Sequence, residues 1–292
     1  MNRLLSITAW KRLARRALQS CGIGALAPRA DAPFPGAELL RAEDLARLNP
    51  DERRRVALTI AAGVEFIVPT RDLDDILPGA ATADVCMLPR LIRSHTWAMP
   101  EHELLTLGAI TKMIAPRHVV EFGTFQGGST LVMAANMADG GHIVTIDLDP
   151  SQRERHEHGL GTGLEAFDLG GLFRGTRYES MIEQRFSNTL DLHAEDLVGR
   201  ADLVFVDADH SYAFVARDTE KAMTFVRPGG WVLWHDYTWA PEHRECAGVT
   251  KAVNEFFRQR GGCHHIAGTR FAIHRVPSAP PGRPEGITED VR

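Results

Sequence analysis

From Met99 onward the apolar positions follow two alternating rhythms. Leu104, Leu105, Leu107, Ile110 and Ile114 recur at helical spacing, after Pro100 and the acids Glu101 and Glu103, which suit a helix start, and before Pro116, which ends it. Short apolar runs then alternate with helical stretches: Val119–Phe122, Gly128–Met137, Ile143–Ile146, and later Leu203–Val206, Tyr212–Val226, Trp231–Trp234 and Val249–Arg260. Strands alternating with helices predict a parallel sheet covered by helices on both faces. The last two apolar pieces, His264–Ile266 and Arg270–His274, are parted only by Ala267-Gly268-Thr269, which is too short for a crossover helix, so this pair is expected to be antiparallel.

Upstream of Met99 the rhythm is helical only. One helix is expected near Ala37–Leu48, with Leu39, Leu40, Leu45 and Leu48 on one side. Asn49-Pro50-Asp51 breaks it, and a second is expected to run from Asp51 toward Val64. These divisions predict a basic segment and linker over 1–30, a helical accessory or cap segment over 31–98, an α/β domain over 99–277 and a disordered Pro-rich tail over 278–292. Pro150–Ser180 is a polar, Gly-rich insertion between strands, and its Phe167, Phe173, Arg174, Arg177 and Tyr178 favour a lid over the sheet edge.

Composition narrows the classes. A net charge of -5 argues against a nucleic-acid binder. The cysteines Cys21, Cys86, Cys246 and Cys263 are scattered without Cys-x-x-Cys spacing, which fits a reducing cytoplasm better than a disulfide or zinc framework. No apolar run is long enough to span a bilayer. Arg3, Lys11, Arg12, Arg15 and Arg16, interleaved with Leu4, Ile7, Trp10 and Leu13, describe a basic amphipathic helix; packing on the body of the protein is the favoured reading, and peripheral membrane contact the rival one. Association between copies of the chain stays open.

The sharpest chemical signal is Val119-Val120-Glu121-Phe122-Gly123-Thr124-Phe125-Gln126-Gly127-Gly128-Ser129-Thr130, a buried strand, a glycine turn and a helix start in that order. Ligands in such sheets bind beyond the carboxyl ends of the strands. Gly123 and Gly127 permit the turn, and the free N–H groups of the helix's first turn, around Ser129 and Thr130, can meet a carboxylate. A dinucleotide site needs a second glycine two residues after the first, for close approach of the pyrophosphate, and Phe125 stands there instead. S-adenosylmethionine has no pyrophosphate. Glu121 and Thr124 flank the turn, with Glu121 suited to orient the cofactor's amino acid part, directly or through water. Asp147 closes the next strand about 20 residues on, where a carboxylate can accept two ribose hydroxyls.

A second cluster follows. Asp207, Asp209 and His210 stand at the end of one strand, and His235, Asp236 and Tyr237 at the end of the next. Three readings are open: a divalent metal (Mg²⁺ or Mn²⁺) on Asp207, His235 and Asp236 that lowers an acceptor's pKa; metal-free acid/base work by His210 or His235 with Asp209 beside them; or mutual hydrogen bonds that only hold the loops.

Glu-x-Gly-x-x-x-Gly-Gly-Ser-Thr, Thr145-Ile146-Asp147, Asp207-Ala208-Asp209-His210-Ser211-Tyr212, Pro228-Gly229-Gly230 and His235-Asp236-Tyr237 together resemble a bacterial family of class I S-adenosylmethionine-dependent methyltransferases with an Asp-x-Asp-His-Ser-Tyr motif. The resemblance spans about Met99 to Val276. It implies a Rossmann-like α/β fold with a mostly parallel seven-stranded sheet and an antiparallel last strand, here with an N-terminal helical extension. It also implies S-adenosylmethionine as donor to a small-molecule acceptor. More distantly, the chain is similar to metal-dependent O-methyltransferases, which place a metal-binding Asp where Asp207 stands and an Asp-Asn or Asp-Asp pair where His235-Asp236 stands; His235 departs from that pattern. In such enzymes the adenine is contacted where Ser187 and Asn188 fall, and Asp207 is also placed beside the cofactor.

Overall fold

The computed structural model describes residues 66–93, 98–149, 168–238 and 246–278. The basic N-terminus, both helices expected before residue 65, residues 150–167 of the insertion, and the tail after Ser278 lie outside the described residues.

Residues 66–93 contribute a strand of two residues (β1, Thr70–Arg71), a four-residue helix (α1, Leu73–Ile76) and two 3-10 turns. Then come α2 (Glu101–Ile114), β2 (His118–Phe122), α3 (Gly128–Asn136), β3 (His142–Asp147), β4 (Ile182–Phe186), β5 (Ala201–Val206), α4 (Tyr212–Phe225), β6 (Val226–Trp234), α5 (Ala247–Arg260), β7 (Cys263–Ile266) and β8 (Ala272–Arg275). The sheet order is β1-β7-β8-β6-β5-β2-β3-β4. It is parallel except where β8 runs antiparallel to both β6 and β7. The Rossmann-like class I arrangement is therefore present, with one correction: eight strands instead of seven. Thr70 and Arg71 pair parallel with His265 and Ile266, so the described end of the segment expected to be helical extends the sheet edge.

Both faces of the central strands are buried, which is why these strands read as continuous apolar runs. Val120, Phe122, Val204, Val206, Val232 and Trp234 face α4 and α5. Val119, Ile143, Leu203, Phe205 and Leu233 face α2 and α3. None of the described helices is long and apolar enough to cross a membrane.

Register aligns the strand ends. Phe122 pairs with Ile146 of β3 and with Val206 of β5, and Val206 pairs with Trp234 of β6. Main-chain bonds continue one residue further: Gly123 N–H to Ile146 C=O at 2.8 Å, Asp207 N–H to Phe122 C=O at 2.9 Å, and His235 N–H to Val206 C=O at 3.1 Å. The glycine turn, Asp147, Asp207 and His235 thus leave the sheet side by side along one edge.

The described part of the insertion packs against the glycine turn. Gly170 N–H donates to Phe125 C=O at 2.8 Å and Leu172 N–H to Gln126 C=O at 2.9 Å, while Phe173 is buried against Gly127. Residues 168–180 therefore brace the glycine turn, and the rest of the expected lid, 150–167, lies outside the described residues.

Candidate functional site

The glycine turn is held by steric fit and by one carboxylate. Gly123 has φ +97°, and a Cβ there would stand 2.0 Å from the Asp207 carbonyl oxygen, so no other residue fits without moving β5. Phe125 takes the left-handed region at φ 47°, rare for a ring-bearing residue. Asp147 stabilises that bend: its Oδ2 accepts from the N–H groups of Thr124 and Phe125, both at 2.9 Å, and its Oδ1 from Leu148 N–H at 2.7 Å. Ser187 N–H donates to the Asp147 carbonyl at 2.9 Å, which brings the end of β4 alongside. Asn188 caps the 3-10 turn that follows, accepting from Leu190 N–H at 2.9 Å.

Glu121 corrects one expectation. It is fully buried, and its two oxygens accept from Ser129 Oγ and Thr130 Oγ1, each at 2.5 Å. It cannot touch a ligand; it pins the first turn of α3, and the hydroxyls of Ser129 and Thr130 point inward to it. Burial pushes its carboxyl up to about 7, although three hydroxyl hydrogen bonds, from Ser129, Thr130 and Thr145, oppose the shift. What Ser129 and Thr130 can still offer a ligand is their backbone N–H groups. Thr124 is likewise turned inward, its Oγ1 2.7 Å from Thr145 Oγ1.

The second half of the edge is an ion network. His235 is buried, with Nδ1 3.1 Å from Asp207 Oδ1 and 3.3 Å from Asp236 Oδ2, and Nε2 2.9 Å from Glu103 Oε2. Burial opposes its charge, but the surrounding carboxylates win and hold its pKa well above the usual imidazole range. In its protonated form the ring donates through both nitrogens, to Asp207 and to Glu103, and in that form it has no lone pair for a proton or a metal. Glu103, from the start of α2, accepts from Arg270 N–H at 2.7 Å and from Arg270 Nε and Nη2 at 3.2 and 2.8 Å. Burial would raise its carboxyl, yet His235 and Arg270 hold it down to about 2. Asp236, at φ 60°, receives Arg270 Nη1 on Oδ1 at 2.5 Å and His210 Nε2 on Oδ2 at 2.9 Å.

His210 is the member of the network that reaches outward, with 26% of its side chain exposed. Burial lowers its pKa, but the hydrogen bond and charge of Asp236 reverse the sign and raise it above 6.5. Asp209 does not join the network. Its Oδ1 accepts from Ser211 N–H at 2.6 Å and turns the chain into α4. Tyr237 is also structural: its hydroxyl donates to Asn254 at 2.8 Å and accepts from Val68 N–H at 3.1 Å.

Asp207, His235 and Asp236 do bring ligand atoms within 4.8 Å of one another, as do His210, Asp236 and Cys246. The donors do not fit a metal, however, because the ring nitrogens of His235 and the oxygens of Asp236 are already engaged. Sequence reasoning missed Glu103 and Arg270. In the chain the first stands as a helix-start acid and the second as a residue of the last apolar run, and nothing local links two positions 167 residues apart.

Residues 120–237 match the family model described as a methyltransferase domain. Caffeoyl-CoA O-methyltransferase of Pinus taeda is 26% identical over 160 residues, covering 52% of this chain and 56% of that protein. Tapetum-specific methyltransferase 1 of Arabidopsis thaliana is 27% identical over 142 residues, covering 48% and 55%. The chain spans about half the length of these curated relatives. Among solved structures, the O-methyltransferase TomG from Streptomyces achromogenes, in complex with SAM, is 18% identical with a TM-score of 0.48, covering 70% of this chain and 96% of that one.

Proposed function

We propose, on the premise that residues 120–237 form a methyltransferase domain, that this chain transfers the methyl group of S-adenosylmethionine to a hydroxyl oxygen of a small molecule. The crevice outside the glycine turn and Asp147 is the cofactor site. Phe125 in place of a pyrophosphate-admitting glycine supports an adenosyl cofactor over a dinucleotide. The relatives named as O-methyltransferases support oxygen as the acceptor atom.

The observation that carries the chemistry is the 2.9 Å contact between Nε2 of the partly exposed His210 and Oδ2 of the buried Asp236. Asp236 fixes the tautomer by holding Nε2–H, which leaves Nδ1 as the base. The acceptor oxygen attacks the methyl carbon in line, the carbon–sulfur bond breaks with its electron pair passing to sulfur, and the acceptor proton passes to Nδ1 of His210. S-adenosylhomocysteine and the methyl ether leave. No step runs through a metal. Orientation of the two reactants supplies much of the acceleration.

Calorimetric titration with S-adenosylhomocysteine, with NAD as comparison, tests the cofactor. Micromolar binding of the former, lost in Asp147→Ala, with none of the latter, is the expected result. Binding of NAD in its place would overturn the reading. Full methyl transfer by His210→Ala would overturn the assignment of the base.

A further inference from the structure

Three carboxylates converge at the end of β5 and β6: Glu103, Asp207 and Asp236, with side-chain exposures of 1%, 21% and 6%. Such a cluster needs positive charge. We propose that Arg270 and His235 form a protein-borne cationic pair that takes the place of a divalent metal at this edge, and that Arg270 is the residue that closes it to Mg²⁺ or Mn²⁺.

The guanidinium is spread over two acids. Nε and Nη2 reach Glu103 at 3.2 and 2.8 Å, and Nη1 reaches Asp236 Oδ1 at 2.5 Å. The backbone N–H of the same residue donates to Glu103 Oε1 at 2.7 Å, so the side chain is anchored at its root. At 22% exposure Arg270 is the more open member beside two acids that are nearly closed off. His235 fills the interior, bridging Glu103 and Asp207 through its two nitrogens.

A hard divalent cation wants about six oxygen ligands in near-octahedral geometry. To enter here it would have to break the Arg270–Asp236 bond and then turn His235 away from Asp207. The alternative set of His210, Asp236 and Cys246 draws on the Asp236 oxygen that already receives His210 Nε2. An arginine offers fixed donors in a planar fork, which positions two carboxylates as a metal would, without exchanging with solvent. Closure of this edge to Mg²⁺ or Mn²⁺ does not depend on the methyltransferase reading.

The test is titration of the chelator-stripped full chain with Mn²⁺, read by the electron paramagnetic resonance of free Mn²⁺. Wild type is expected to show no stoichiometric binding at millimolar Mn²⁺. Arg270→Ala is expected to gain one site per chain, at least about tenfold tighter than wild type, and the added change Asp236→Asn to remove it. Arg270→Gln, which removes the charge but keeps the stem, answers the same question if the alanine variant does not fold. One tight Mn²⁺ site in wild type, lost in Asp207→Asn, would overturn the proposal. So would a folded, S-adenosylhomocysteine-binding Arg270→Ala that gains no site. Failure of wild type to bind S-adenosylhomocysteine would instead strike the cofactor reading and leave the Mn²⁺ result standing.

Discussion

Nε2 of His235 lies 2.9 Å from Oε2 of Glu103, although 132 residues separate them. This contact joins the start of α2 to the end of β6 and is nearly inaccessible to water from either side. Glu103 compensates two cations at once, so its removal leaves both His235 and Arg270 short of a partner. Glu103→Ala is expected to lower unfolding stability by about 3–5 kcal/mol, measured in urea. Glu103→Gln, which retains hydrogen-bonding capacity, should lose less.

The two buried glutamates titrate in opposite directions. Glu103 falls from 4.5 to about 2, so the stability it contributes is complete above pH 4.5 and is lost as the pH drops through about 2. Glu121 rises from 4.5 to about 7, so its contribution is complete below pH 4.5 and is lost as the pH climbs through about 7. Each shift corresponds to about 3 kcal/mol across its window. Unfolding free energy measured from pH 4.5 to 8 should therefore fall less steeply in Glu121→Gln than in wild type. An unchanged slope would remove the assignment.

Much of the fold was legible in the chain because each central strand is covered on both faces and separated from the next by a helix. The antiparallel β7–β8 pair followed from a connection too short for anything else. The strand Thr70–Arg71 was not legible, since two residues carry no periodicity and their pairing depends on β7 at the far end of the chain. The site divided in the same way. Gly123, Asp147, Asp207 and His210 sit where a strand ends, and the local pattern marks strand ends. Glu121 was misread because a carboxylate beside a glycine turn looks like a ligand contact, whereas strand alternation points it into the core. Glu103 and Arg270 meet only through the closed sheet.

Gly123 and Gly140 separate backbone need from packing need. Both have positive φ, but nothing lies within 4 Å of a Cβ at Gly140, while at Gly123 it would overlap the main chain of Asp207. Gly140→Ala is expected to cost about 1–2 kcal/mol of backbone strain and to leave S-adenosylhomocysteine binding intact. Gly123→Ala is expected to abolish binding, because the turn and the end of β5 must part. Calorimetry on both variants decides.

The proposal that His210 is the base predicts the shape of the rate profile. Asp236 raises the pKa of His210 above the ordinary imidazole value, so protonated ring dominates in acid and kcat/KM should rise with pH and level off on the alkaline side of a free histidine's titration. Asp236→Asn removes the charge that raises the pKa, so the rise should move to lower pH as the plateau rate falls. A profile that stays in place would show that another group takes the proton.

The 167-residue span between Glu103 and Arg270 also orders events during synthesis. The glycine turn, Asp147 and both histidines leave the ribosome well before Arg270. A nascent chain can therefore assemble β2, β3, β5 and β6 while the carboxylates at their ends still lack one of their cations. Only when β8 inserts beside β6 does Arg270 arrive between Glu103 and Asp236. Pairing of such remote segments is slow compared with local helix formation. The charge balance of this edge is thus completed only when β8 docks, and a chain stalled before that strand would hold a nearly finished sheet around a carboxylate cluster with His235 as its remaining cation.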